Sequence, residues 1–476
     1  MITWFVVKAP DLINQKKIVY KRHYDGCGLV VRIEYKEKID VIDNNPEDSL
    51  TYSPFDIFKF NQEKSGNLGE DDYVTILHPL VVSMVNQVTR DSPALLSIVN
   101  KAIGFIFPNL ETMYLTAKVK DILFDGMEID CRASEFQAKA VCTQLKIQIP
   151  GLKMSGQKNV FLFSILGPRN ATIGKRFKVG RGISNSKDLG RVLEVEDQKE
   201  LTLWGEKQCN IFKGTDGWIF PPFLTPEEGI WSFSIDLCSI QAKFVRDTEF
   251  KGVNVRRYEA TLGDMEHNQE EKCYCNTPKT CLKKGVFDLT KCMGVPIYVT
   301  LPHFLETDEM YLQQVKGMEP VLEDHIIRVH FEPMTGTPIE AKKRIQFNLP
   351  VTPNNKITLM KNISQALHPI FWIEEGIELE GKYLKKITNV FLIIELVKFL
   401  RWFGIATGIM MLLYGLHIYY KNKNKVTITP VHQREAFASG LDEERGPGGI
   451  NVIQNQQANG KEIANPIMSG HEFDRY

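Results

Sequence analysis

Cys273-x-Cys275-x5-Cys281-x10-Cys292, with Cys209 and Cys238 upstream, is the densest set of chemically competent side chains in the chain. Thiolates so placed have two uses: holding a zinc ion in a tetrahedron, or oxidising in pairs. Structural zinc sites usually pair their ligands two to four residues apart, and gaps of one, five and ten fit that poorly. Disulfides are therefore the favoured reading, and zinc the alternative. Each bridge that closes tens of residues stabilises by about 3–4 kcal/mol. Elsewhere no nucleophile elbow, His-Glu-x-x-His or phosphate loop occurs, so neither an enzyme nor a cofactor is expected.

Such bridges need an oxidising compartment, and the chain carries its own evidence for one. Residues 402–420 are nineteen uncharged, mostly apolar residues, reaching about 28 Å as a helix, close to a bilayer's hydrocarbon thickness. Trp402, Phe403, Tyr419 and Tyr420 sit at the ends, bracketed by Arg401 and Lys421. A spanning helix is expected there; a buried core helix is the plainer alternative. Charge leaves the orientation open, with five Lys or Arg in the twenty residues before the run and four in the twenty after it. Cysteines decide it, since all nine precede the run. Both glycosylation sequons, at Asn170 and Asn362, precede it as well. The expected layout is an extracellular 34–401, a span at 402–420 in the plasma membrane and a cytoplasmic, disordered 421–476. The tail's Gly446-Pro447-Gly448-Gly449 and its Asn/Gln-rich stretch support the last part.

Acidic and basic residues number 58 each, which gives no field for nucleic acid. With 43% hydrophobic residues the extramembrane part can build a large core. Periodicity reads mostly as strands. His325 to Phe331 alternates, Thr335-Gly336-Thr337-Pro338 turns, and Ile339, Ala341, Lys343, Ile345, Phe347 and Leu349 continue with period two. Residues 160–166, 201–204 and 356–360 are further short strand candidates. Polar positions Ser97, Asn100, Lys101 and Gly104 recur at helical spacing, predicting an amphipathic helix over 95–107.

Longer strings carry a resemblance. Cys209-Asn-Ile-Phe-Lys-Gly-Thr-Asp-Gly217, Phe220-Pro-Pro-Phe223, Cys273-Tyr-Cys275, Leu301-Pro-His-Phe304 and Glu332-Pro-Met-Thr-Gly336 resemble the class B scavenger receptor family. Glu34-Tyr-Lys-Glu-Lys-Ile-Asp40, Glu70-Asp-Asp-Tyr-Val-Thr75, Leu123-Phe-Asp-Gly126 and Phe371-Trp-Ile-Glu-Glu-Gly376 are similar to its insect sensory neuron membrane proteins, more to the second subtype than the first. The resemblance implies a mainly β fold with inserted helices. In detail this is an antiparallel β-barrel ectodomain crossed by a lipid tunnel, with an apical helix bundle containing 95–107 and the segment around 113–124. It also implies bridges Cys209–Cys273, Cys238–Cys292 and Cys275–Cys281. Cys131 and Cys142, with ten residues between them, suggest an extra pair, and Cys27 is left over.

That family carries a second span near its N-terminus. Here residues 1–33 match nothing in it, and the apolar run from Ile2 to Val7 is too short for a signal segment. The expectation is an anomalous N-terminal segment lacking the first span. By resemblance, the function is an olfactory membrane protein that binds and transfers hydrophobic, lipid-derived ligands such as odorants and pheromones. Its partners would be odorant receptors or odorant-binding proteins. The alternative is a scavenger or adhesion receptor for lipoprotein-like particles. Lys101 is the candidate for ligand entry, weighed against a plain solvated lysine, and Lys118 and Lys120 read as surface charges. His303 reads as a hydrogen-bonded structural histidine.

Overall fold

The computed structural model describes residues 2–8, 29–149, 151–234, 238–275, 281–379 and 381–423. Cys27, part of the N-terminal segment and the tail beyond Lys423 lie outside the described residues. The chain divides into two compact units, residues 1–398 and 399–476.

The first unit is organised by one antiparallel sheet. Its main strands are β1 (Ile2–Lys8), β2 (Leu29–Asn44), β3 (Ser49–Phe60), β4 (Phe177–Gly180), β5 (Val192–Val195) and β6 (Ile230–Ser234), followed by β7 (Cys238–Phe250), β8 (Val253–Ala260), β9 (Ile327–Glu332), β10 (Thr337–Val351) and β11 (Ala366–Glu378). They lie in the order β5-β4-β3-β2-β1-β11-β10-β9-β8-β7-β6. This is a meander in two halves, joined where β1 pairs with β11, Ile2 opposite Glu378 and Lys8 opposite Trp372. Within the N-terminal segment, Ile2–Lys8 thus takes a place in the sheet. Ile2–Lys8 is β-branched and aromatic, and its apolar run serves as a strand at the centre of the sheet.

The closed barrel implied by resemblance is not formed. β5 and β6 end the sheet and do not pair with each other. The strip 214–216 lies between them, bonded to both: Val192 N–H donates to Gly214 O (3.0 Å), and Thr215 N–H donates to Trp231 O (3.1 Å). Gly214 takes φ +86°, and a Cβ there would sit 2.0 Å from Trp231 O, so no side chain fits.

β10 shows why period two was legible. Ile339, Ile345, Leu349 and Val351 are buried on one face, while Glu340, Arg344, Gln346 and Asn348 are buried on the other. The apolar face continues into a core with α1 (Pro79–Asp91), α2 (Leu96–Ile106) and α3 (Phe136–Gln148). α1 starts with Pro79 at its first position, capped by the His78 ring accepting Val81 N–H at 3.4 Å. α2 falls where helical spacing predicts.

Three local readings fail. Residues 114–118 are a strand rather than part of a second bundle helix, because they find an antiparallel partner in Tyr73–Leu77, Tyr114 opposite Leu77 and Lys118 opposite Tyr73. Residues 201–204 form a loop held by Asn210, whose Oδ1 accepts Leu203 N–H and Trp204 N–H at 3.1 and 2.9 Å. Residues 356–360 end in a 3-10 turn whose first N–H, Thr358, is bound by Asn100 Oδ1 at 2.7 Å.

Two last helices matter below: α4 (Leu322–His325) and α5 (Gly381–Lys423). The start of α5 packs Leu384, Ile387 and Phe391 against Val253, Val255, Ile339 and Leu379. No helix among the described residues is long and apolar enough to cross a membrane. The expected span at 402–420 is not found on that measure. Taken by itself, the second unit's helix exposes Phe403, Ile409, Met411, Leu412, Leu413 and Leu416.

Candidate functional site

The eight described cysteines form four disulfides: Cys131–Cys142, Cys209–Cys273, Cys238–Cys292 and Cys275–Cys281. With every one of these sulfurs bonded to another, the zinc alternative has no thiolate to use. The bridges span 11, 64, 54 and 6 positions respectively. The two long ones anchor turns around Cys209, Cys273 and Cys292, which carry little secondary structure of their own, to each other and to β7. The site is packed as well as stapled. Trp204 lies buried with Cys209 and Cys273, its ring edge-on to Tyr274 at 5.2 Å and under Lys291 Nζ at 4.5 Å. Cys142 lies in the apolar core shared by α1, α2 and α3, so its bridge ties α3 to the end of the strand Met127–Asp130.

Among the described residues this core gathers more buried apolar side chains than any other cluster. α2 contributes Leu96, Val99, Ala102, Ile103 and Ile106, and the sheet contributes Leu349, Val351, Ile370 and Phe371. Lys101 lies on the exposed face of α2, away from these residues. Lys118 and Lys120 are brought together on one carboxylate, each 2.9 Å from Asp71 Oδ1. They clamp the 70–72 loop. A surface cavity of about 410 Å³ is lined by Pro226, Glu227, Gly229, Gln241, Lys243 and Phe244, a mixed polar surface unlike an apolar passage. Asn362 is exposed. Asn170 is half-buried, and its Oδ1 accepts Phe58 N–H at 2.9 Å.

Two features escaped the sequence reading. The first is a latch on the strip between β5 and β6. Asp216 Oδ2 accepts Lys38 Nζ–H at 3.0 Å and Tyr52 O–H at 2.5 Å, and Oδ1 accepts Trp218 N–H at 2.9 Å. Lys38 also lies 4.1 Å from the Tyr52 ring centroid. Burial and the Asp216 charge push the Tyr52 phenol far up. The partners are 164 and 178 residues apart, so only the Gly214-Thr-Asp-Gly217 string marked the place.

The second is a set of buried titratable groups. Burial alone would raise Glu340, but bonds from His330 and Arg328, with the charges of Arg328 and Lys342, outweigh it and hold the carboxyl at about 2. Burial lowers His78 and His368 to about 4 each, against a backbone bond that favours their protonated forms. Below pH 6.5 the unfolded chain's imidazoles take protons that these two rings refuse until about pH 4, so folding stability falls across that window. Each ring is expected to cost about 3 kcal/mol by pH 4. Glu340 acts in a lower window: its contribution is whole above about 4.5 and is lost as pH falls toward 2. Denaturant midpoints measured from pH 7.5 to 4 should drop steeply. His368→Leu, which removes a ring whose Nε2 has no partner, should flatten that drop by roughly half. An unchanged slope would remove His368 from the account.

The CD36 family profile matches residues 30–419. The chain is 41% identical over 429 residues to sensory neuron membrane protein 1 of Apis mellifera, covering 89% of this chain and 81% of that one. It is 40% identical over 394 residues to the protein of that name from Helicoverpa assulta, covering 82% and 75%. With the one from Pediculus humanus subsp. corporis it shares 39% over 400 residues, covering 83% and 77%. These identities do not separate the second subtype from the first.

Proposed function

The chain belongs to the CD36 family, the class B scavenger receptors, and from that premise we propose a membrane-held receptor that takes up lipid-derived molecules and passes them toward the bilayer. Odorants and pheromones are the ligand class, and neighbouring odorant receptors or clearance are the destination. The observation that carries this reading is the similarity across most of the chain to relatives named sensory neuron membrane proteins.

Membrane attachment is assigned to 402–420. Its exposed apolar side chains carry no charge over nineteen residues, and its aromatic ends are bracketed by Arg401 and Lys421. Lipid is the cover that such a surface suits. The cystine-bearing unit then lies outside the cell, glycosylated at Asn170 and Asn362.

Physically, the task needs no energy source. Moving a long acyl chain out of water gains about 0.8 kcal/mol per methylene, so an apolar route beside a membrane is sufficient. The helical core is where we place the entrance, with Lys101 on the solvent face of α2 as the candidate for attracting a carboxylate or carbonyl. Displacement of a fluorescent long-chain fatty acid from the full chain in detergent tests the reading. Saturable binding, competed by single unlabelled lipids and weakened by Lys101→Ala, is expected. Binding of lipoprotein particles without competition by single lipids would replace it with the scavenger reading.

A further inference from the structure

Residues 301–326 form a strap over the polar face of β9, β10 and β11. The strap leaves Tyr298–Thr300, turns through 302–304, forms the short helix Glu309–Gln314 and returns through α4. Beneath it Arg344, Gln346 and Asn348 are at most 3% exposed, so the strap is what shields this face. Asn348 Nδ2–H donates to Tyr298 O (3.2 Å) and Arg344 NH1 donates to Ile326 O (2.8 Å), at the strap's two roots.

The two ends of the strap are fastened to each other by two histidines. The rings of His303 and His325 stack with centroids 4.4 Å apart and planes 7° from parallel, and His325 meets Trp372 edge-on at 5.9 Å. His303 Nδ1 accepts Glu319 N–H at 3.1 Å, and His325 Nδ1 accepts Val321 N–H at 2.9 Å. A ring nitrogen that accepts a backbone N–H holds no proton, so both fastenings exist only with Nδ1 unprotonated. His303 is held in place at φ +57° by its own N–H donating to Gln346 Oε1 at 3.0 Å.

The charged groups on the surrounding elements include Lys316 and Glu319 of the strap, Glu323 and Asp324 of α4, Arg257 of β8, Arg328, His330, Glu340 and Arg344 of β9 and β10, and Glu374 of β11. Among these, Glu323 accepts from Arg257 and Arg328 (2.9 and 3.1 Å), Glu340 from Arg328 and His330, and Glu374 from Arg344 (2.6 Å). Those carboxylates are already engaged by cations on the sheet.

We propose that the His303–His325 stack is an acid-released latch on this strap. A proton on either Nδ1 removes an acceptor and turns the ring into a donor facing the N–H it had bound. A second proton sets two cations at stacking distance, where they repel. Either event frees 317–321 while the arginine clamps keep α4 on the sheet. Imidazole is the ordinary side chain that takes up a proton as neutral fluid turns acidic. The strap would thus loosen on acidification, as on transfer from neutral fluid to an acidic vesicle. This stands independently of the ligand proposed above.

Hydrogen exchange on the full chain in detergent, corrected for intrinsic rates, tests it. Between pH 7.5 and 5 the Glu319 and Val321 amides should lose protection by about tenfold per pH unit below the transition. The amides of Ile345 and Leu349 in β10 should keep theirs. In His303→Asn/His325→Asn the carboxamide oxygens replace Nδ1 as acceptors that do not titrate, and protection should no longer depend on pH. Protection at Glu319 and Val321 equal at both pH values in the native chain overturns the latch, as does an equal loss in the double variant. The native series decides by itself if the double variant does not fold.

Discussion

Replacing Cys273 with Ser is expected to leave the chain inside the cell. Cys273 closes the 64-position bridge to Cys209, and both sulfurs are buried against Trp204. Loss of such a bridge costs about 3–4 kcal/mol in the loop-entropy account. That is comparable to the whole margin of many domains. It also strands the Cys209 thiol beside Cys275–Cys281, where exchange can scramble the block. The readout is glycan maturation: the native chain should acquire mature glycans at Asn362, whereas Cys273→Ser should keep immature ones and remain intracellular. Cys281→Ser, which opens a bridge closing only 6 positions, should be milder. Normal maturation of Cys273→Ser would mean that the staples do not hold the fold.

Asp216→Ala is expected to be the most destabilising substitution outside the cystines. Its carboxylate side chain is 1% exposed and serves Lys38, Tyr52 and the Trp218 amide together. Removing one partner of a buried ionic set leaves the rest uncompensated and costs about 3–5 kcal/mol. The loss falls on the strip that fills the gap between β5 and β6, so the sheet's ends should separate first. Denaturant midpoints of Asp216→Ala, Tyr52→Phe and the double variant form a cycle. The account expects strong coupling, with the double variant scarcely worse than Asp216→Ala alone. Additive effects would show that the contact is incidental.

These two predictions differ in how visible their basis was. Three of the four cysteine pairs could be written down only through resemblance, since spacing alone admits many connectivities, whereas Cys131–Cys142 was suggested by its short gap. α2 and β10 were legible because each has a buried stripe at its own period. α1 was not, because Val81, Val82, Val85 and Val88 suit a strand locally and only packing against α2 and Met113 makes them helical. Residues 114–118 failed in the opposite direction, since their partner strand lies some forty residues earlier. Ile2–Lys8 reads as a stray apolar run until β11, over 360 residues later, gives it an edge to pair with. Asp216, the His303–His325 stack and the acid pocket of Glu340 are likewise products of topology. Each assembles polar groups that are ordinary in isolation.

The account's central claim is that a cystine-stapled body at the membrane surface offers oily molecules an apolar way into the bilayer. The direct measurement is delivery of a fluorescent long-chain fatty acid from solution into vesicles carrying the full chain, with protein-free vesicles as reference. Delivery should be faster with the protein, saturate with ligand, be competed by unlabelled long-chain lipids, and vanish after the disulfides are reduced. Equal rates with and without the protein, or acceleration that survives reduction unchanged, would contradict it.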